Sequence, residues 1–409
     1  MLRNRFRQAC AIAACAGTVM VVSGSPARAT DDKYFDQQWN LTQVRAPEAW
    51  AHSTGSGIVI GVVDTGIDAA HPDLAGKVDA MADCIGGTCR EGSAPDVKGH
   101  GTAVAGIAAA SANNGVGIAG VAPDAHLVVA KALGDDGSGD TEDINKAIEW
   151  VVDHGARVVN LSLGDADLVL VSRLGTPLRP GIEYAWSRGA IPVLAAGNYD
   201  DVSGTGSANY GSLDAVVVGA TDNRGAVAGY STSLGNAKWG VVAPGGSGDG
   251  PGADVASPIP GGRYAWMAGT SMATPHVAAT LALLLAQGLE PSEAVSRLLA
   301  SLDHSAGCGT GCQGRLDAGA AVAAVAASGV GTSGSPITVT APAGHVSPAL
   351  EALALALAGA AGLATLRTWW WLQEETASST ASARLPMVDE EPVIERAAAT
   401  RRPRHANAA

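Results

Sequence analysis

Large aromatic side chains are scarce in this chain of 409 residues: two Phe, six Tyr and nine Trp make up only 4% of it. A core with so few rings has to be built from Ala, Val and Leu packed closely. Positive charge is also in the minority, with 26 Lys and Arg against 39 Asp and Glu and a formal net charge of −13. That balance excludes the basic footprint of a nucleic-acid binder, and acidity mainly keeps an exported chain soluble. No repeat of about 20 to 50 residues is visible, which excludes a solenoid or propeller. Cysteines number six and none stands in a C-x-x-C pair, so a four-thiolate zinc site lacks its usual spacing.

The first 29 residues read as an export signal. Arg3, Arg5 and Arg7 form a charged start, residues 9–22 are apolar, and Pro26-Ala27-Arg28-Ala29 offers an A-x-A cleavage site. Ile12-Ala13-Ala14-Cys15 faintly resembles a lipoprotein box, but apolar sequence continues past Cys15, which argues against lipidation there. Cys10 and Cys15 leave with the signal; Cys84/Cys89 and Cys308/Cys312 remain as two close pairs. In an oxidising compartment each pair is expected to close a small loop. Loops so short restrain the unfolded chain weakly, so the effect is local pinning.

From residue 30 to 328 the chain alternates apolar runs with helical patterns. Residues 58–63, 127–130, 158–161, 191–195, 215–218 and 240–243 read as buried strands; 102–111, 140–154 and 181–188 read as helices. Continuous apolar strands alternating with helices predict an α/β fold, a mostly parallel sheet covered by helices on both faces. Ligands gather at the carboxyl ends of such strands, and Asp64 stands at one of those ends.

Residues 329–348 turn to Gly, Ser, Thr and Pro, the composition of a linker. Residues 349–372 are then apolar apart from Glu351, Arg367 and a few Thr. As a helix they would be about 36 Å long, enough to cross a hydrocarbon layer of ~30 Å with tilt. Arg367 could snorkel beside Trp369, Trp370 and Trp371 at one interface. The alternative is an Ala-rich helix packed on the preceding domain. Residues 373–409 are polar, carry Arg401, Arg402 and Arg404, and read as a disordered tail on the cytoplasmic side.

Three boxes carry chemistry: Val-Val-Asp64-Thr-Gly, Gly-His100-Gly-Thr and Gly-Thr-Ser271-Met-Ala-Thr-Pro. Peptide hydrolysis needs a nucleophile, a base, an orienter for that base and donors for the oxyanion. Ser271 supplies a hydroxyl at the start of a helical run that would aim backbone N–H groups beside it. The glycines flanking His100 let the backbone approach closely, and Asp64 is placed to hold the tautomer of the imidazole. Taken singly, His100 could be an ordinary structural histidine and Asp64 a helix cap. In the chain order Asp, His, Ser they make a catalytic triad the stronger reading.

These boxes resemble those of the subtilisin-like serine proteases, and the resemblance runs from about residue 39 to residue 327. It implies a serine endopeptidase acting on polypeptides, with Asn198 and the backbone N–H of Ser271 as the oxyanion hole. It also implies two peptide-binding edges, Leu133, Gly137, Ser138 and Gly139 on one side and Ser162, Leu163 and Gly164 on the other. Ala195, Ala196 and Gly197 would line the P1 pocket with small groups, which admits large apolar side chains. Asp165, Asp167, Asp200 and Asp201 lie close by in sequence and leave a basic preference open. No cofactor is required for the chemistry. Asp73 and Asn114 match positions that bind calcium in some relatives, with Asp32 as the N-terminal acid. Two readings stay open there: a calcium site, or a loop ordered by its own hydrogen bonds.

Only about nine residues separate Ala29 from the start of the match, where secreted relatives commonly carry a domain-sized folding propeptide. Signal, protease, linker, span and tail together resemble the mycosins, the membrane-anchored subtilases of bacterial type VII secretion systems. The expectation is therefore a single-pass membrane protein with its peptidase domain outside the cytoplasm; a secreted form is the alternative. A subunit that stabilises a secretion complex, with proteolysis secondary, is the rival function, and an esterase a weaker third. The intact set Asp64, His100, Ser271 and Asn198 favours the enzyme, because a scaffold has no physical need for all four.

Overall fold

The computed structural model describes residues 30–163, 178–198, 213–305, 307–327 and 395–396. The expected export signal, linker and membrane span and, apart from Glu395 and Arg396, the expected tail lie outside the described residues. So do Gly164, Asp165, Asp167, Asp200 and Asp201.

Eight strands form the central sheet: β1 Val59–Asp64, β2 Val78–Asp83, β3 Arg90–Glu91, β4 His126–Lys131, β5 Val158–Leu161, β6 Ile191–Ala195, β7 Val216–Thr221 and β8 Trp239–Pro244. Their order is β3-β2-β4-β1-β5-β6-β7-β8. Every pairing is parallel except that of β2 with β3. The apolar strands do not alternate with polar residues because both faces are covered, and β7 is buried along its whole length. Alternation survives only in which layer a side chain enters. In β1, Ile60 and Val62 join one core layer and Val63 joins the other.

On the first face lie α3 His100–Ala109 and α6 Thr270–Ala286; on the second, α4 Thr141–Asp153 and α5 Arg179–Ser187. Two short N-terminal helices, α1 Trp39–Gln43 and α2 Ala46–Trp50, and two late ones, α7 Pro291–Ala300 and α8 Ala318–Ala327, complete the first layer. Helix α2 packs on α8, where Arg45 pairs with Asp317 at 2.9 Å. Helices α3 and α6 are rich in Ala and small residues and are buried nearly all round. This is how a chain poor in rings fills its centre.

The predicted strands and helices are found within a few residues of their expected ends. The short β2 and β3 and the antiparallel pair β9 Val255–Ile259 with β10 Arg263–Met267 went unseen. Glu395–Arg396 forms β11, parallel to β10 at Ala265 and Trp266. Pro275 was expected in the first turn of its helix; it lies inside α6, which already begins at Thr270. Both cysteine pairs are joined locally, Cys84 to Cys89 and Cys308 to Cys312. Among the described residues no single helix is long and apolar enough to cross a membrane.

Candidate active site

Strand β1 sits where the sheet changes direction, with β4 on one side and β5 on the other, and Asp64 ends it. Its side chain is fully buried. Oδ1 accepts the Thr65 N–H at 2.7 Å and the His100 Nδ1–H at 2.7 Å. Oδ2 is buried with no hydrogen-bond partner. A carboxylate only accepts, so Nδ1 carries the proton and the lone pair stays on Nε2. Burial opposes charge on the imidazole, but the Coulomb pull and hydrogen bond of Asp64, helped by Asp96, outweigh it. The His100 pKa is raised above its ordinary 6.5.

His100 is the first residue of α3. Gly99 before it adopts a left-handed φ of 87°, and a Cβ on Gly101 would come within 2.1 Å of the Gly66 carbonyl oxygen. The flanking glycines are therefore steric requirements. Sequence reasoning missed Asp96, which ties this turn together. Its Oδ1 accepts the Thr65 hydroxyl at 2.8 Å and the Gly99 N–H at 2.7 Å. Its Oδ2 accepts the Thr102 N–H at 2.8 Å and the Thr102 hydroxyl at 2.6 Å. Thr65 Oγ1 in turn accepts the Gly101 N–H at 3.0 Å. One carboxylate thus fixes both the strand end that carries Asp64 and the helix start that carries His100. The available signal was an acid a few residues before a helix whose early residue is Thr.

Ser271 is the second residue of α6. Its hydroxyl donates to the Ser162 carbonyl at 3.1 Å, and the Ser162 hydroxyl donates to the Ser271 carbonyl at 2.8 Å. Asn160 Nδ2 holds Ser162 Oγ from behind at 2.9 Å. Asn198 follows β6. Its Oδ1 accepts the Thr270 N–H at 2.9 Å and the Thr270 hydroxyl at 3.2 Å. This fixes the amide orientation and leaves Nδ2 without an acceptor among the described residues. The same is true of the Ser271 N–H, one of the free donors of a helix start. Two N–H donors therefore remain open around the Ser271 hydroxyl, a set suited to an oxyanion.

Of the expected peptide-binding edges, the turn 133–138 uses much of its own backbone. The N–H groups of Leu133 and Gly134 go to the carbonyls of Asp64 and Ser138. Those of Gly137 and Ser138 go to the Gly134 carbonyl and to Asp136 Oδ1. The Gly137 carbonyl and the Gly139 N–H are left open among the described residues. The side chains of Leu133, Leu163, Ala195 and Ala196 are buried. Gly197 is held by its N–H on Thr270 Oγ1 at 3.2 Å.

Asp32, Asp73 and Asn114 do come to one corner, but with donors facing them. The N–H groups of Asn113 and Asn114 go to Asp32 Oδ2 and Oδ1 at 3.1 and 3.0 Å, and that of Gly115 goes to Asp31 at 3.1 Å. Thr30 also donates its hydroxyl to Asp32. Asn114 Oδ1 accepts the Val116 N–H at 2.9 Å, and Asp73 Oδ2 accepts that of Ile118 at 3.1 Å. Successive N–H groups make an anion nest, whereas calcium requires oxygens turned inward. These hydrogen bonds order the loop, and the acids at this corner already meet N–H partners. One buried oxygen, Asp73 Oδ1, is left over. Burial pushes the Asp73 carboxyl up to about 6, where a proton can serve it.

Comparison with known proteins agrees with this architecture. The profile of the Subtilase family matches residues 55–331. Thermitase of Thermoactinomyces vulgaris is 37% identical over 294 residues, covering 71% of this chain and 98% of that protein. The thermophilic serine proteinase of Bacillus sp. (strain AK1) is 40% identical over 283 residues, 68% of this chain; the match spans 65% of that protein's length. A protease structure from Pseudoalteromonas arctica PAMC 21717 superposes with a TM-score of 0.61 at 31% identity, over 73% of this chain and all of that one. The chain belongs to the subtilase family, and its folded domain is that of a subtilisin-type serine endopeptidase.

Proposed function

We propose that peptide bonds are hydrolysed here through Asp64, His100 and Ser271, with Asn198 Nδ2 and the Ser271 N–H receiving the oxyanion. His100 Nε2 takes the Ser271 proton as Oγ attacks the scissile carbonyl. The imidazolium, steadied by Asp64, then protonates the leaving amine, and water reverses the sequence to free the acid. Before attack, the Ser271 hydroxyl must leave the Ser162 carbonyl. A peptide N–H pairing with that carbonyl on the substrate edge would release it toward His100. The observation that carries this reading is the Asn198 amide, anchored through Oδ1 so that its N–H end is left for a ligand beside the nucleophile. Fluorophosphonate labelling tests it: Ser271 is expected to be modified, and Ser271→Ala to abolish labelling. An unlabelled wild-type protein would refute the assignment.

We further propose that the chain is exported and anchored by residues 349–372, with the protease outside and the tail inside. The support is composition: an apolar stretch flanked by Trp and Arg, after a Gly- and Ser-rich linker. A mycosin-like role in a secretion complex is the finer form of this reading. The Glu395–Arg396 strand on β10 needs the tail on the same side as the protease domain, and so belongs to the secreted alternative and not to the anchored form. Truncation after Ser328 is expected to release an active soluble protease, with full-length protein in the membrane fraction. Full-length, C-terminally intact protein in the medium would rule out the anchor.

A further inference from the structure

Lys98 lies two residues before His100 on the turn that enters α3, and its side chain crosses the middle of the 133–139 edge. A Cβ built on Gly137 would come within 2.9 Å of Lys98 Cε and 3.1 Å of Nζ. Lys98 Nζ donates to the Asp136 carbonyl at 2.6 Å, a neutral acceptor. None of the carboxylates around it is its hydrogen-bond partner, though Asp136 feels its charge. Asp136 is folded into its own turn, taking the Ser138 N–H at 2.9 Å and the Ser138 hydroxyl at 2.7 Å. Asp135 is held by Lys131 at 3.0 Å, and both oxygens of Asp96 accept hydrogen bonds from Thr65, Gly99 and Thr102. The ammonium therefore keeps two donors and much of its charge at the cleft. Its field also reaches the imidazole, where it opposes protonation of His100. Beside it Val97 is 70% exposed, so the same turn offers an apolar surface and a cation together.

A peptide pairing with the Gly137 carbonyl and the Gly139 N–H, its scissile carbonyl at Ser271, would pass the Lys98 side chain that lies against Gly137. Side chains of an extended chain alternate in direction. Every second residue therefore shares the direction of Lys98, and the residue immediately before the one whose carbonyl is attacked is assigned to it. We infer that Lys98 selects an acidic side chain at that substrate position. Its N–H donors would make charge-assisted bonds to the carboxylate, in a cleft that otherwise reads by backbone pairing and so with little regard to sequence.

The inference rests on the proposed peptidase activity and deepens it. Fluorogenic peptides differing only at that position, as Glu, Gln or Lys, test it by kcat/KM at low and high salt. The wild-type protein is expected to favour Glu over Gln by about fivefold, the size of a partly exposed ion pair, with the ratio shrinking as salt rises. Lys98→Gln should bring the Glu/Gln ratio near one, and Lys98→Glu should turn the preference toward Lys. Loss of the cation should also move the acid limb of kcat/KM to higher pH, which a merely structural residue would not do. Equal rates on Glu and Gln peptides, or a ratio that survives Lys98→Gln, would overturn the inference. Failure to cleave any peptide, with no fluorophosphonate label on Ser271, would instead overturn the peptidase reading and the inference with it.

Discussion

Ser162 and Ser271 each donate a hydroxyl to the other's backbone carbonyl, at 2.8 and 3.1 Å. Pro275 makes this exchange available. A residue four positions on in α6 would normally give its N–H to the Ser271 carbonyl, and proline has none. The unclaimed carbonyl takes the Ser162 hydroxyl instead, which locks the start of α6 to the end of β5. Ser162→Ala should leave that carbonyl and Asn160 Nδ2 without their partner and cost about 1–2 kcal/mol. Urea unfolding of the inhibitor-blocked protein measures it. A variant as stable as the parent would show the clasp to be incidental.

Asn198→Ala should lower kcat by about 10²–10³ with little effect on KM, since its N–H end is used when the oxyanion forms. The fold should survive with a stability loss of about 1–2 kcal/mol, because only the buried Thr270 N–H and hydroxyl lose their acceptor. Steady-state kinetics on a peptide anilide, with circular dichroism as a control, provide the comparison. Full turnover would remove Asn198 from the oxyanion hole.

Activity requires neutral His100, whose pKa is raised by Asp64 against the opposing effect of burial. The acid limb of kcat/KM should therefore lie above 6.5, with rates rising as pH climbs through it. The same shift makes His100 a stabilising group below pH 6.5, and that stabilisation is lost as pH rises through the folded-state value. Asp64→Asn should move the limb down as well as cutting the rate. A limb at or below 6.5 in the parent would contradict the assignment.

His276 behaves in the opposite sense. It is fully buried in α6, donating from Nδ1 to the Met272 carbonyl at 2.8 Å and accepting the Asn40 amide at Nε2 at 2.9 Å. Desolvation lowers its pKa to about 4. Between about 4 and 6.5 the unfolded chain binds the proton that the folded one refuses, so stability falls as pH drops through that window. The loss is on the order of 3 kcal/mol. NMR titration of the ring is the check: a resonance titrating near 6.5 in the folded protein would sink the claim.

Chelator should leave the melting temperature unchanged, because the acids at the 113–115 loop are met by N–H donors. Replacing Asp32 by Ala should instead lower it, by about 2–4 °C for ~1 kcal/mol in a domain of this size. Calorimetry with and without EDTA decides, and a drop on chelation would restore the calcium site.

Local pattern was enough for much of this protein. Apolar runs such as 158–161 and 191–195 become strands at those residues because a strand buried on both faces needs nothing beyond its own side chains to be recognised. The boxes around Asp64, His100 and Ser271 were legible because close approach and helix starts impose Gly, Thr and Pro at fixed offsets. Tertiary structure decided what depends on partners remote in sequence. Asp96 reaches the strand end through Thr65, 31 residues away, and Ser162 clasps Ser271, 109 residues away. The loop at Asn114 has the oxygens of a metal site in sequence; only its fold turns N–H groups toward Asp32. Composition names the donors and acceptors available, and the path of the backbone determines which of them face one another.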